Sequence, residues 1–257
     1  MNIAALVLAA GNSSRMGRDK LSLPLSLPSH SPSALVTPDE TESRDSSDSY
    51  SESPTRSDSH AEPIPMQMST YSHPAHPITI GGNVLSAVMA AQSLQSVVVV
   101  RSPHSSAAWV AECDQWQQQS DGRLQTIVCE QADQGMSYSI RTGMRQIVAS
   151  GASHVLIVLA DQPLIETKHL QQLTQYALDN PQLDYVAASY KETAMPPIVF
   201  SQSVWQQLTQ LQGDQGARKL LSSDQLHGAV IPMPAHIFYD ADTPEALATI
   251  RRHLSEN

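Results

Sequence analysis

Short runs of Val, Ile, Leu and Ala recur at Ile3–Ala9, Ser96–Arg101, Leu124–Val128, His154–Leu159 and Tyr185–Ser189. They lack strict apolar–polar alternation, which is the pattern of strands covered on both faces. Between them, apolar residues return at helical spacing over Val84–Gln92, Ser139–Ala149, Lys168–Leu178 and Val204–Leu211. Strand and helix alternate, so the pattern predicts an α/β fold with a Rossmann-like, mostly parallel sheet flanked by helices. In such sheets ligands bind outside the carboxyl ends of the strands, which makes each strand-to-loop junction a candidate for chemistry. Residues 28–77 break the pattern. They are Ser-, Pro- and acid-rich with few large apolar residues, too little to offset the entropy of ordering, and read as a disordered insertion. The expectation is one domain made of residues 1–27 and 78–257, interrupted by that segment.

Composition narrows the class. The chain has 257 residues, 40% of them hydrophobic, enough for one substantial core. Its formal net charge is −10 at pH 7, yet the insertion, with Arg44 and Arg56 as its cations, accounts for −6 of that. The remainder is mildly acidic, which speaks against nucleic acid as a partner but leaves room for a local anion site. Cys113 and Cys129 are far apart and form no C-x-x-C pair, as suits a reduced compartment. The apolar opening has no basic segment before it and stops at Gly11, and no apolar run is long enough to span a bilayer. A cytoplasmic protein with no membrane attachment is expected.

The first apolar run leads into Ala9-Ala10-Gly11-Asn12-Ser13-Ser14-Arg15-Met16-Gly17-Arg18-Asp19-Lys20. Gly11 and Gly17 allow close backbone approach and positive φ. Ser13, Ser14 and the backbone N–H groups can donate to phosphate oxygens. Arg15 offers a planar fork and Lys20 a compact charge. Together they describe a polyphosphate cradle, although an ordinary Gly/Ser-rich turn with solvated cations uses the same residues. It is neither a Walker loop nor the dinucleotide fingerprint.

Three further stretches carry candidates. Asp161 follows the run His154–Leu159, where a carboxylate facing a triphosphate would meet a hard cation; a turn or a helix cap is the plainer alternative. Gly135, Ser137 and Ser139 open a helix and could face a polar ligand or simply cap it. In Asp242-Thr243-Pro244-Glu245, Asp242 reads as a helix N-cap, which leaves Asp240 without a structural task. Gly213 and Asp214 read as the end of one helix and the cap of the next, and Arg218 with Lys219 as a solvated face or an anion contact.

The joint pattern L-A-A-G-x-S-x-R-M-G-x-x-K resembles the opening motif of the nucleotidyltransferases that activate the molybdenum cofactor. Those enzymes are themselves similar to the wider sugar-nucleotide pyrophosphorylase superfamily. The resemblance implies a fold of the nucleotide-diphospho-sugar transferase type. It also implies a triphosphate wrapped by the first loop, with Ala9, Ala10, Gly11, Ser13, Ser14 and Gly17 as nucleotide-binding positions. Arg15, Lys20 and Asp161 become the catalytic residues. Asp161-Gln162-Pro163 matches the family's D-Q-P and implies a Mg²⁺ ligand at Asp161. The ending D-x-D-T-P-E favours Asp240 as the second ligand. The stretch Gly135–Gly143 is similar to G-M-x-x-S-[IL]-x-x-G, which places Gly135 and Ser139 near base and ribose. G-D-x-G-A-R, shared with a subset of relatives, assigns Arg218 to the acceptor phosphate. Cys129-Glu130-Gln131 departs from the Asn-Pro of many relatives, and Ala194-Met195-Pro196-Pro197 from a G-H-P-[IV].

The implied reaction transfers a nucleoside monophosphate to the terminal phosphate of a molybdopterin-type cofactor, releasing pyrophosphate. A-A-G at Ala9-Ala10-Gly11 resembles the cytidylyltransferases, so CTP is the expected donor, and a molybdoenzyme or its chaperone is a further expected partner. Two other classes fit the same residues. One is a nucleotidyltransferase for a sugar or alditol phosphate, separable by turnover with defined acceptors. The other is a non-catalytic chaperone delivering cofactor to a molybdoenzyme, which would have no need of the Asp161 carboxylate.

Overall fold

The computed structural model describes residues 2–11, 16–25, 78–222 and 225–256. The insertion, residues 28–77, therefore lies outside the described residues, as do Ser13, Ser14 and Arg15. The expected sheet is present, with seven strands: β1 (Ile3–Ala9), β2 (Leu94–Arg101), β3 (Leu124–Val128), β4 (His154–Leu159), β5 (Tyr185–Tyr190), β6 (Thr193–Ser201) and β7 (Gly228–Pro232). Their order is β3-β2-β1-β4-β6-β5-β7. β6 is antiparallel to both neighbours, and every other pairing is parallel. Among the described residues six α-helices cover the sheet: α1 (Ile80–Ala90), α2 (Ala107–Gln119), α3 (Met136–Ala149), α4 (Thr167–Asp179), α5 (Trp205–Gln210) and α6 (Pro244–Glu256).

β1 explains why the apolar runs do not alternate with polar residues. Its residues Ile3, Ala5, Val7 and Ala9 enter one core cluster, with α1, α2, α4 and α6. Ala4, Leu6 and Leu8 enter the other, with α3 and α5. All seven residues are buried, so each face of the strand must be apolar. α3 lies directly on the strand, because a Cβ at Gly143 would collide with Leu6 Cδ1. No helix among the described residues is long and apolar enough to cross a membrane. Both cysteines are free and buried.

Three elements escape the periodicity. β6 carries Pro196 and Pro197, which read against a central strand. They fall in an irregularity where the pairing steps from Ala187↔Ile198 to Ala188↔Met195, so the partner strand asks nothing of their missing N–H groups. α2 buries only Trp109 and Cys113 completely, a stripe too narrow to register as an amphipathic helix. β7 is a short, largely exposed edge strand.

Sheet order reverses at β1, with β2 and β3 added on one side and β4 on the other. The crevice beyond the carboxyl ends of β1 and β4 is therefore the topological switch point, the place such a sheet offers to a ligand.

Candidate active site

Lys20 starts a short 3-10 helix, Lys20–Ser22, just past the first loop. Asp19 fixes that turn: its Oδ1 accepts from Leu21 N at 3.1 Å and its Oδ2 from Ser106 N at 2.7 Å. Ser106 in turn caps α2, so the turn is tied to the helix layer. Gly17, at φ +64, provides the left-handed step before it. The Lys20 side chain is consequently 6% exposed. Its Nζ donates to Asp161 Oδ2 at 2.6 Å and to Asp242 Oδ1. Burial alone would lower its pKa, but the Asp161 and Asp242 carboxylates outweigh that and raise it. Lys20 is thus a fixed cation held between the carboxyl end of β4 and the segment leading into α6.

That segment corrects one expectation. Asp242 does not cap α6. Thr243 does, with Oγ1 accepting from Ala246 N at 3.2 Å and its carbonyl accepting from Leu247 N at 3.0 Å. The adjacent Thr243 takes the cap position and leaves the Asp242 carboxylate to Lys20. Asp240 is also close. Its Oδ1 accepts from Gln162 Nε2 at 2.9 Å, and the backbone between the two acids is tied to the turn just after β4 by Ala241 N donating to Asp161 O at 2.9 Å. Asp240 is exposed by surface area, yet protein crowded against its inner side raises its pKa, and the Asp161 carboxylate raises it further. The raised value marks a carboxylate short of positive charge.

Do these residues suit a divalent cation? Among the described residues no group of three or more His, Cys, Asp or Glu stands ready to hold a metal unaided. The donors are nonetheless hard oxygens, and Gln162 Oε1 beside them is buried without a hydrogen-bond partner. Mg²⁺ and Mn²⁺ suit such a set, and Mg²⁺ commonly takes one or two carboxylates and completes its shell with substrate phosphates and water. The residues fit.

Beside the Lys20–Asp161 pair opens a cavity of about 420 Å³. Ala9, Ala10 and Gly11 line it from the end of β1, and Gly135 and Ser139 from the start of α3. The fold thus gathers seven of the candidate residues around one space, counting Lys20 and Asp161. Gly17 is not among the lining residues. Arg218, exposed on the short 3-10 helix Ala217–Ser222, does not line the cavity either. Asp214 does, and the next helix starts only at Ala217, three residues on, so its expected place as the cap is also corrected. Asp133 and Asp214 are cavity-lining acids that sequence reasoning passed over as ligand-facing groups.

The MobA-like NTP transferase domain family matches residues 74–229. The purine catabolism protein PucB of Bacillus subtilis (strain 168) is 32% identical over 181 residues, covering 68% of this chain and 84% of PucB. Among solved structures, Rv0371c of Mycobacterium tuberculosis H37Rv aligns over 100% of both chains with a TM-score of 0.62 and 19% identity. The same protein is also known in complex with manganese. Molybdopterin-guanine dinucleotide biosynthesis protein A of Archaeoglobus fulgidus aligns over 99% of this chain and 100% of its own, with a TM-score of 0.56 and 14% identity. The fold is that of the nucleotide-diphospho-sugar transferases, and the chain belongs to the MobA-like NTP transferase domain family.

Proposed function

We infer that the protein transfers a nucleoside monophosphate, CMP from CTP by preference, to the terminal phosphate of a molybdopterin-type cofactor. An oxygen of the acceptor phosphate attacks the α-phosphorus, the bond to the bridging oxygen of the β-phosphate breaks, and pyrophosphate leaves. The acceptor is already anionic, so the reaction needs no general base and no covalent protein nucleophile.

One observation carries this reading: a nearly buried lysine, clamped by Asp161 and Asp242, stands at the wall of a cavity bordered by the Ala9-Ala10-Gly11 backbone. Its charge is set in place before substrate arrives, which is how a preorganised cation lowers the barrier to phosphoryl chemistry. Arg15, Ser13 and Ser14 would extend the cradle along the triphosphate, with Gly17 shaping the loop. Asp161, with Asp240 and Asp242 beside it, would hold Mg²⁺, which when bound neutralises phosphate charge and aligns the leaving group. Gln162 orients Asp240 toward that task. Arg218 is the residue we assign to the acceptor phosphate. A molybdopterin-guanine dinucleotide biosynthesis protein among the fold relatives supports the choice of acceptor.

The test is pyrophosphate release with molybdopterin as acceptor and CTP, GTP, ATP and UTP offered in turn, with Mg²⁺ or Mn²⁺. Fastest turnover is expected with CTP. Pyrophosphate release only with a sugar or alditol phosphate would replace the acceptor, and binding without turnover would replace the enzyme by a carrier.

A further inference from the structure

One part of the cavity wall is made of two turns locked backbone to backbone. Gly135 sits at φ +120 and leaves no room for a Cβ against the Gly213 carbonyl and Asp214 N. Ser137 N donates to Gly213 O at 3.1 Å. Gln215 closes the second turn, its N donating to Gln212 O at 3.1 Å and its Oε1 accepting from Gln212 N at 3.2 Å. Asp214 is therefore delivered to the cavity by a rigid turn, and its carboxylate has no hydrogen-bond partner among the described residues. Ser139 Oγ also lacks one, although the residue is 4% exposed and lines the same cavity. Asp133 adds a second carboxylate, and Lys20 is the only cation among the described lining residues.

A triphosphate is repelled by such a wall, whereas a group rich in hydrogen-bond donors is drawn to it. With the phosphates held at the Lys20 end, the group that reaches Asp214 is the nucleobase. We propose that Asp214 is a specificity-determining residue whose carboxylate accepts from the exocyclic amine of the base, admitting cytosine and rejecting uracil. Uracil is the same size but turns a carbonyl oxygen to the carboxylate, so the site loses a bond and gains a repulsion. This assignment rests on the nucleotidyltransferase reading above.

Equilibrium dialysis of CTP and UTP with Mg²⁺, without acceptor so that nothing turns over, tests it. The unmodified protein is expected to bind CTP at least about tenfold more tightly, as befits a hydrogen bond to a charged group. Asp214→Asn, whose amide can donate to the uracil carbonyl, should erase or invert the preference. Asp214→Ala should lower CTP binding to the UTP level without improving UTP. Thermal unfolding of both variants should match the parent, since Asp214 is exposed. A CTP:UTP ratio unchanged in both variants overturns the assignment while leaving the nucleotidyltransferase reading intact, and so does a parent protein without the preference. Failure of the parent to bind any nucleoside triphosphate brings down both.

Discussion

Lys20 is neutralised by its neighbours before any phosphate arrives, and substrate must share a cation already in place. Lys20→Ala should therefore lower kcat/KM by about two to four powers of ten, measured by pyrophosphate release at limiting CTP. Asp242→Asn should also reduce turnover, by about tenfold or more, because one of the two carboxylates that hold Lys20 becomes a neutral amide. The raised Lys20 pKa means that the charge persists through the neutral range. Its contribution to stability is present below the ordinary lysine value and lost only as pH climbs through the raised one. Asp240 behaves oppositely. Its folded pKa lies above the unfolded one, so the native state binds more protons across that window and stability falls as pH rises through it. Asp240→Asn, in the absence of divalent cation, should therefore raise the unfolding temperature at pH 7 modestly, given the exposure of the side chain, while depressing turnover with Mg²⁺. A lower unfolding temperature in that variant would mean that Asp240 is structurally required.

Caps and turns decide what each element presents to the cavity. Thr243→Ala removes the side-chain cap of α6 and should cost about 1 kcal/mol in urea unfolding, with activity per folded molecule preserved. Loss of activity beyond that would show that the cap also positions Asp242. Here the sequence was ambiguous for a physical reason: Asp242 and Thr243 are both good caps, one residue apart, and only packing against Lys20 chooses between them. Strands β1 to β4 were legible because a strand buried on both faces has a composition nothing else shares. α2 and β6 were not, since one is held by two buried side chains and the other hides its prolines in a pairing irregularity. Asp161 was legible from its place after β4. Asp214 was not, because its role depends on a contact between Gly135 and Gly213 that is remote in sequence.

At the scale of the whole chain, the two edges of the insertion meet. Leu25 N donates to Ile78 O at 2.8 Å, Ile80 N donates to Leu23 O at 3.0 Å, and Pro24 bridges Thr79. Replacing residues 28–77 by a short glycine linker should therefore leave the far-UV spectrum and most of the activity unchanged, since the entropy of loop closure varies only slowly with length. Loss of cooperative unfolding would show that the removed residues support the fold. The charge pattern that set this segment apart was plain in the sequence, but the adjacency of its ends was not, because it depends on backbone pairing. That adjacency has a genetic consequence. β1 pairs with β2 and β4, and Lys20 meets its carboxylates, entirely through residues outside 28–77, so these contacts should not need a continuous chain between residues 27 and 78. Residues 1–27 and 78–257 made as separate polypeptides should therefore reassemble, turning the molecule into a complementation reporter whose smaller half carries the lysine.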